Sequence, residues 1–402
     1  MGDHRGPLVT PPLYLDHAAT TPLAPAALEA MLPFLQRDFG NPSSVHAAGR
    51  VARAAVDDAR DRLAEVLGCE PREIVFTASG SEADNLALRG ALQRWGRDRG
   101  THVVVSAIEH DAVLATAQQL SDVGGATVTV VPCDARGIVD PDAFAAAVRP
   151  DTVVASLMLV NNETGVVQDV AAAAEAVRRR NPATLVHTDA VQALGRLRLR
   201  PRDLGVDLLS LSAHKAYGPK GVGALWVRHG VFLGGQVTGG GQERGRRSGT
   251  ENVAGIAGFG AAASMAEELR EAEGQRQEEL ARRLTRAAVS ALPDAVVTGD
   301  GAPRAPGFAG FAFPGCRTDL LLAVLDAAGI AASGGSACSS GAPTPSHVLL
   351  AMGLDPALAT GALRCTLGRS TSADDVDRAA AAIAAAVRQV RSAAPAAVLG
   401  GG

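Results

Sequence analysis

At 402 residues and 47% hydrophobic, the chain is long enough for one large domain plus a smaller one, each with its own core. Charged residues make up 20% and the formal net charge is -4, so nothing global attracts nucleic acid or an anionic membrane. No apolar run reaches the ~18 residues of a membrane span, and five scattered cysteines without CxxC spacing argue against a disulfide framework or a structural zinc site. The expectation is a cytoplasmic protein with no metal, no direct nucleic-acid contact and no membrane contact. The short Arg-rich stretches at 178–180 and 196–202 read as solvated faces.

Apolar, β-branched runs fall at 74–77, 102–106, 127–131, 152–160, 184–188, 207–212 and 223–228, with helical patterns such as 82–95 and 170–179 between them. Near-continuous apolar strands separated by helices predict an α/β fold with a mostly parallel sheet covered on both faces. After about residue 250 the pattern changes. A charged helix over 266–291 leads into strands at 296–298, 307–313 and 362–367, with helices at 318–328 and 373–392. This predicts a smaller α+β domain. The boundaries expected are 15–255 for the large domain, 1–14 with 256–392 for the small one, and a Gly-rich disordered tail over 393–402.

Sites in parallel sheets lie at the carboxyl ends of strands, so the residues that follow the strands carry the functional reading. After the first run come Ala78, Ser79, Gly80, Ser81 and Glu82, opening a helix. A strand, a small-residue turn and a helix present backbone N–H groups to a phosphate, and Gly80 and Ser81 fit that role. Ser79 and Glu82 equally fit an ordinary capping box. His110 opens the next helix, where an imidazole can stack on a planar cofactor and relay protons, or be structural. Asn161, Asn162, Glu163, Thr164 and Gly165 follow the most apolar run, as a polar turn or as a contact with substrate or cofactor.

Asp189 ends the 184–188 run, with Gln192 three residues on. A carboxylate there can keep a pyridine nitrogen protonated, or it can cap a helix. Ser212, Ala213, His214 and Lys215 follow the 207–212 run. A lysine at the end of a buried strand is a natural Schiff-base former, because partial desolvation favours its neutral amine. The alternative is a surface lysine in a turn. The glycine-rich cationic segment 239–252 is either a mobile linker or a donor of hydroxyl and guanidinium groups to an anion. Finally, Cys338 sits in the Gly- and Ser-rich stretch 333–343, unlike Cys133 and Cys365 among apolar neighbours. A cysteine on such a loop is placed for reaction, and its thiol needs a partner that lowers its pKa.

These motifs occur in one order, together with Tyr14-Leu15-Asp16-His17-Ala18-Ala19-Thr20-Thr21-Pro22 and Gly40-Asn41-Pro42-Ser43-Ser44. The set, spanning about 14–368, resembles that of the cysteine desulfurases, in the class V aminotransferase group of fold-type-I pyridoxal-phosphate enzymes. The resemblance implies pyridoxal 5'-phosphate as cofactor, L-cysteine as substrate and a seven-stranded sheet in the large domain. Lys215 would hold the cofactor, Asp189 would pair with its ring nitrogen, and Gln192 and Asn162 would contact ring substituents and substrate. Gly80, Ser81, Ser212 and His214 would hold the phosphate, joined by Thr250 from the other subunit of a homodimer. His110 would stack on the ring and shuttle protons.

Arg364 would clamp the substrate carboxylate, with Asn41 nearby, and Cys338 would take the sulfur as a persulfide for acceptor proteins, as in the long-loop subgroup. Iron–sulfur assembly and thiolation are both open destinations for that sulfur. Two departures stand out: His17 where many relatives have Tyr, and Ala78-Ser79-Gly80 in place of Ser-Gly-Ala. A selenocysteine lyase or another aminotransferase-like enzyme is the alternative, and a scaffold without activity the least favoured reading.

Overall fold

The computed structural model describes residues 12–335 and 345–393. The described residues open with β1 (Leu13–Tyr14), α1 (Pro25–Gln36) and α2 (Ala47–Leu67). Then β2 (Ile74–Thr77), α3 (Gly80–Arg99), β3 (His102–Ser106), α4 (Asp111–Gly124), β4 (Thr127–Val131), α5 (Pro141–Ala146) and β5 (Thr152–Ser156) alternate. They are followed by α6 (Val170–Arg180), β6 (Leu185–Asp189), β7 (Leu208–Ser212) and β8 (Gly223–Val227). These strands form one seven-stranded sheet in the order β2-β8-β7-β6-β5-β3-β4, parallel except where β8 pairs with β2 and β7. That is the expected architecture. Strands β2, β3 and β5–β8 are buried along their whole length, which is why they read as unbroken apolar runs.

The remaining elements are α7 (Val253–Ala291), β9 (Val296–Val297), β10 (Phe308–Ala312), α8 (Thr318–Ala327), β11 (Ile330–Ala331), α9 (His347–Ala351), α10 (Pro356–Ala359), β12 (Ala362–Thr366) and α11 (Ala373–Ala393). An antiparallel sheet, β12-β10-β9, packs with α7, α8 and α11 around a second core that includes Phe311, Phe313, Leu284 and Ile383. The N-terminal β1 joins this part through parallel pairing with β11, and Asp16 bridges to Thr366.

Two elements differ from their sequence patterns. Helix α7 begins at Val253 rather than near 266, capped by the Asn252 side chain, which accepts from the Gly255 N–H at 3.0 Å. Its glycine-rich start hides the helical signal because small residues are what close packing on α2 requires. A Cβ at Gly260 would lie 2.7 Å from the Ala59 Cα. Strand β5 ends at Ser156, not at 160: Leu157 and Leu159 still donate to the His187 and Asp189 carbonyls at 3.1 and 2.9 Å, while the Met158 N–H goes to the buried Glu109 carboxylate at 2.7 Å.

The glycine-rich segment between the two parts is held down. Glu243 sits buried between Arg60 Nη1 (2.9 Å), Arg60 Nη2 (2.6 Å) and the Phe76 N–H (3.0 Å) at the end of β2. Removing one partner of a buried pair strands the other charge, typically at about 3–5 kcal/mol. Glu243→Ala should therefore lower the denaturant midpoint clearly, whereas Glu278→Ala, on the exposed face of α7, should leave it within experimental scatter.

Candidate active site

A cavity of about 560 Å³ opens where the parallel strands end. It is lined by Gly80, Ser81, His110, Asn162, Asp189, Gln192, Ser212, His214, Lys215 and Arg364. Ten of the twelve cofactor and substrate positions singled out in the sequence, Cys338 aside, thus face one space. Thr250 does not; it lies exposed beside Ala78 and Asn252 on a neighbouring surface. Nor does Asn41, whose exposed side chain accepts the Ser43 N–H at 2.8 Å and shapes its own turn. Cys338 lies outside the described residues.

Each lining group is placed by the end of a strand or the start of a helix. Asp189 ends β6 and is 5% exposed, and its Oδ1 accepts one N–H, from Val191 at 2.8 Å. Burial raises its pKa, while Lys215 and His110 pull it back. Behind it stand Glu109, pushed up to about 8 by burial and by the charge of Asp189, and Asp84, raised by the same causes. Of these three carboxyl groups Asp189 is the one whose pKa Lys215 pulls back, which favours the negative charge there. His187, between Ser156 Oγ (2.8 Å) and Ser210 Oγ (2.9 Å), is pulled down to about 3 by burial and stays neutral.

Lys215 follows β7 in a short 3-10 turn, and its Nζ donates to the carbonyls of Ala18 and Ala19, each at 2.7 Å. Burial and the Arg364 guanidinium pull its pKa down to about 8. His214 is lowered to about 4 by burial and by Lys215, with Nδ1 3.1 Å from Thr20 Oγ1, so it enters the cavity as a neutral imidazole. His110 caps α4, its Nδ1 accepting the Ala112 N–H at 3.0 Å. In the neutral ring that acceptor role leaves the proton on Nε2.

The capping and functional readings of these residues hold together. Ser79 caps α3 by accepting the Glu82 N–H at 3.1 Å, and the twenty-residue helix behind it turns its N-terminal N–H groups toward the cavity. Gly80 has no room for a side chain, since a Cβ would lie 2.6 Å from Val191 Cγ2.

Pyridoxal phosphate fits these residues. Ser212 Oγ and Gln192 Oε1 are buried without a protein partner, a strained state unless a ligand pairs with them. The cavity also offers a flush helix N-terminus for a phosphate, a buried carboxylate for a ring N–H and an amine for an aldehyde. Arg364 is 5% exposed. Its Nη1 donates to the Asn162 carbonyl at 2.8 Å and its Nη2 to Asp16 Oδ1 at 2.7 Å, while Nε has no partner. No cluster that could hold a metal occurs among the described residues.

Several lining residues were not singled out in the sequence. Asp16 and Glu163 stand inside quoted motifs, but nothing there showed which way they face. His347 carried no signal at all. His17, the departure from the usual Tyr, is buried, lowered to about 4 by burial, and bonded through Nδ1 to the Thr366 carbonyl at 3.0 Å.

The family model for class-V aminotransferases matches residues 13–379. A curated relative named cysteine desulfurase IscS, from Clostridium botulinum (strain Hall), is 40% identical over 385 residues, covering 95% of this chain and 96% of its own. Another, named cysteine desulfurase, from Gluconacetobacter diazotrophicus, is 44% identical and covers 95% of each chain. Among solved structures, one described as a NifS-like protein superposes with a TM-score of 0.87 at 35% identity, covering 94% of this chain and 100% of its own. A second, described as SspA in complex with cysteine, gives a TM-score of 0.76 at 34% identity, covering 88% of this chain and 98% of its own.

An amine that titrates near 8 becomes nucleophilic two to three pH units earlier than an exposed lysine. Uptake of pyridoxal phosphate by cofactor-stripped protein, followed by its visible band, should therefore accelerate with pH and level off above about 8. A rate still climbing towards 10.5 would mean that Lys215 is solvated.

Proposed function

Because the chain belongs to the class-V aminotransferase family, among relatives named cysteine desulfurase over nearly their whole length, we propose that it converts L-cysteine to L-alanine and passes the sulfur to Cys338. It is a pyridoxal-phosphate enzyme. The observation that carries the reading is the convergence of Lys215, Asp189 and Arg364 on one cavity.

Bound pyridoxal phosphate supplies an electron sink for the substrate's Cα. Around it the chain's own groups divide the work. Arg364 offers its free Nε to the substrate carboxylate, a charge-assisted contact of fixed orientation. Lys215 Nζ, lowered to about 8, takes the Cα proton, its deprotonated form amounting to roughly a tenth at pH 7 and half at pH 8. His110 Nε2 holds a proton facing the cavity, available to the sulfur or carbon that needs it. The Cys338 sulfur attacks the substrate's sulfur, an S–S bond forms, and the Cβ–S bond breaks with its electron pair going to carbon. That carbon takes a proton to complete alanine, and the enzyme keeps a persulfide.

Support for Cys338 comes from the other cysteines. Burial pushes Cys69 and Cys365 up to about 12 and Cys133 up to about 11, and it raises Cys316, so the four described thiols are poor nucleophiles. We further read the chain as a homodimer whose partner supplies Thr250. The exposed apolar side chains of Leu28, Leu32, Leu35, Phe39 and Val45 support that reading. From the homodimer the persulfide would pass to acceptor proteins in the cytoplasm. No helix among the described residues is long and apolar enough to cross a membrane.

The test is a pair of variants assayed for alanine and sulfide with cysteine and a reductant. Cys338→Ala should keep the yellow cofactor band and lose turnover to background, and Lys215→Ala should lose both. Wild-type turnover by Cys338→Ala would end the acceptor assignment.

A further inference from the structure

We propose that Glu163 is a positioning residue for sulfur transfer, because its buried carboxylate touches both stems of the segment that contains Cys338. The inference rests on the reading of Cys338 as the sulfur acceptor.

The outgoing stem ends at Gly335. Ser333 pairs with the Arg364 backbone in both directions, at 3.2 and 2.6 Å. The Gly335 N–H donates to Ser333 Oγ at 3.2 Å, and its carbonyl accepts from Arg364 Nη1 at 3.4 Å. Gly335 has φ +97°, and a Cβ on it would lie 2.7 Å from Glu163 Oε2, so the bare backbone rests against that oxygen. The returning stem meets the same atom. Ser346 Oγ donates to Glu163 Oε2 at 2.5 Å while accepting the Leu349 N–H at 3.2 Å to cap α9. Next to it, His347 Nε2 donates to the Glu109 carbonyl at 3.0 Å.

Glu163 is itself held rigidly. Asn161 Oδ1 accepts the N–H groups of Glu163 (3.0 Å) and Thr164 (2.9 Å) and the Thr164 hydroxyl (3.1 Å), and Asn161 Nδ2 donates to the Ile108 carbonyl at 3.0 Å. The same turn gives the Asn162 carbonyl to Arg364. One small turn therefore fixes the substrate clamp and both stems relative to each other. Fixing the two described ends of a segment limits where the residues between them can reach, and a misplacement of ~1 Å in a reacting group can cost as much as ~10²-fold in rate.

The test uses the holoenzyme with Ser346→Ala, Glu163→Ala, the double variant and Glu163→Gln, which keeps a carbonyl oxygen for Ser346. Two reactions are followed: alanine release from cysteine, and exchange of the alanine Cα proton for deuterium, which needs no sulfur and no Cys338. The first two variants should each lower kcat for alanine release about tenfold, with KM nearly unchanged. The double variant should fall no further than the worse single one, and Glu163→Gln should recover most of the loss. The visible band and the deuterium exchange should stay at wild-type levels in Ser346→Ala.

Wild-type kcat in both single variants, additive losses in the double, or an equal fall in exchange would overturn the assignment. Ser346→Ala removes one hydroxyl and keeps the test decisive if Glu163→Ala folds poorly. Wild-type turnover by Cys338→Ala would remove the acceptor reading beneath the inference, and the inference with it.

Discussion

A carboxylate that ends a parallel strand, nearly sealed from water and holding one backbone N–H, sets the terms for everything around it. Burying a charge with so little compensation is costly, and proteins tolerate it where a cation completes the pair. Lys215 is near enough to lower the pKa of Asp189 but spends its hydrogen bonds on Ala18 and Ala19. A protonated ring nitrogen placed beside Asp189 would complete the pair. Glu109 and Asp84 sharpen the effect, because their own carboxyl groups are pushed towards the neutral form and leave one negative charge facing the cavity.

The backbone's needs and the site's needs are met by the same side chains. Ser79 caps α3, and Gly80 and Ser81 follow at the exposed N-terminus. His110 caps α4 through Nδ1 and lines the cavity. Asp189 turns the chain after β6 while keeping an oxygen for a ligand. A local hydrogen bond fixes the rotamer, and a fixed rotamer gives the functional atom a position. Capping and function are thus not competing explanations for these residues.

This double use explains how much was legible in the sequence. The strands of the large sheet showed as unbroken apolar runs, and the polar residues after each run could be placed at its carboxyl end, hence in one space. What stayed hidden depends on distances between separate segments. Nothing near Glu163 in sequence announces that Ser346 bonds to it. Nothing near Asp16 announces that its oxygen lies 2.7 Å from Arg364 Nη2. The partner of the Met158 N–H, just beyond β5, was invisible for the same reason: it is a carboxylate on the segment after β3. The first turns of α7 were hidden differently, since the glycines that permit close packing on α2 also erase the helical pattern.

Arg364 draws these strands of the argument together. It comes from β12 in the small sheet, yet its Nη1 reaches Asn162 beyond β5 and its Nη2 reaches Asp16 just past β1. The same guanidinium supports Gly335. A group tied on three sides loses little freedom when a substrate carboxylate arrives, so most of that contact's energy is available for orientation. The same residue also holds the outgoing stem, through Gly335 on its guanidinium and Ser333 on its backbone. If Arg364 takes the substrate carboxylate as proposed, the substrate and that stem share one support.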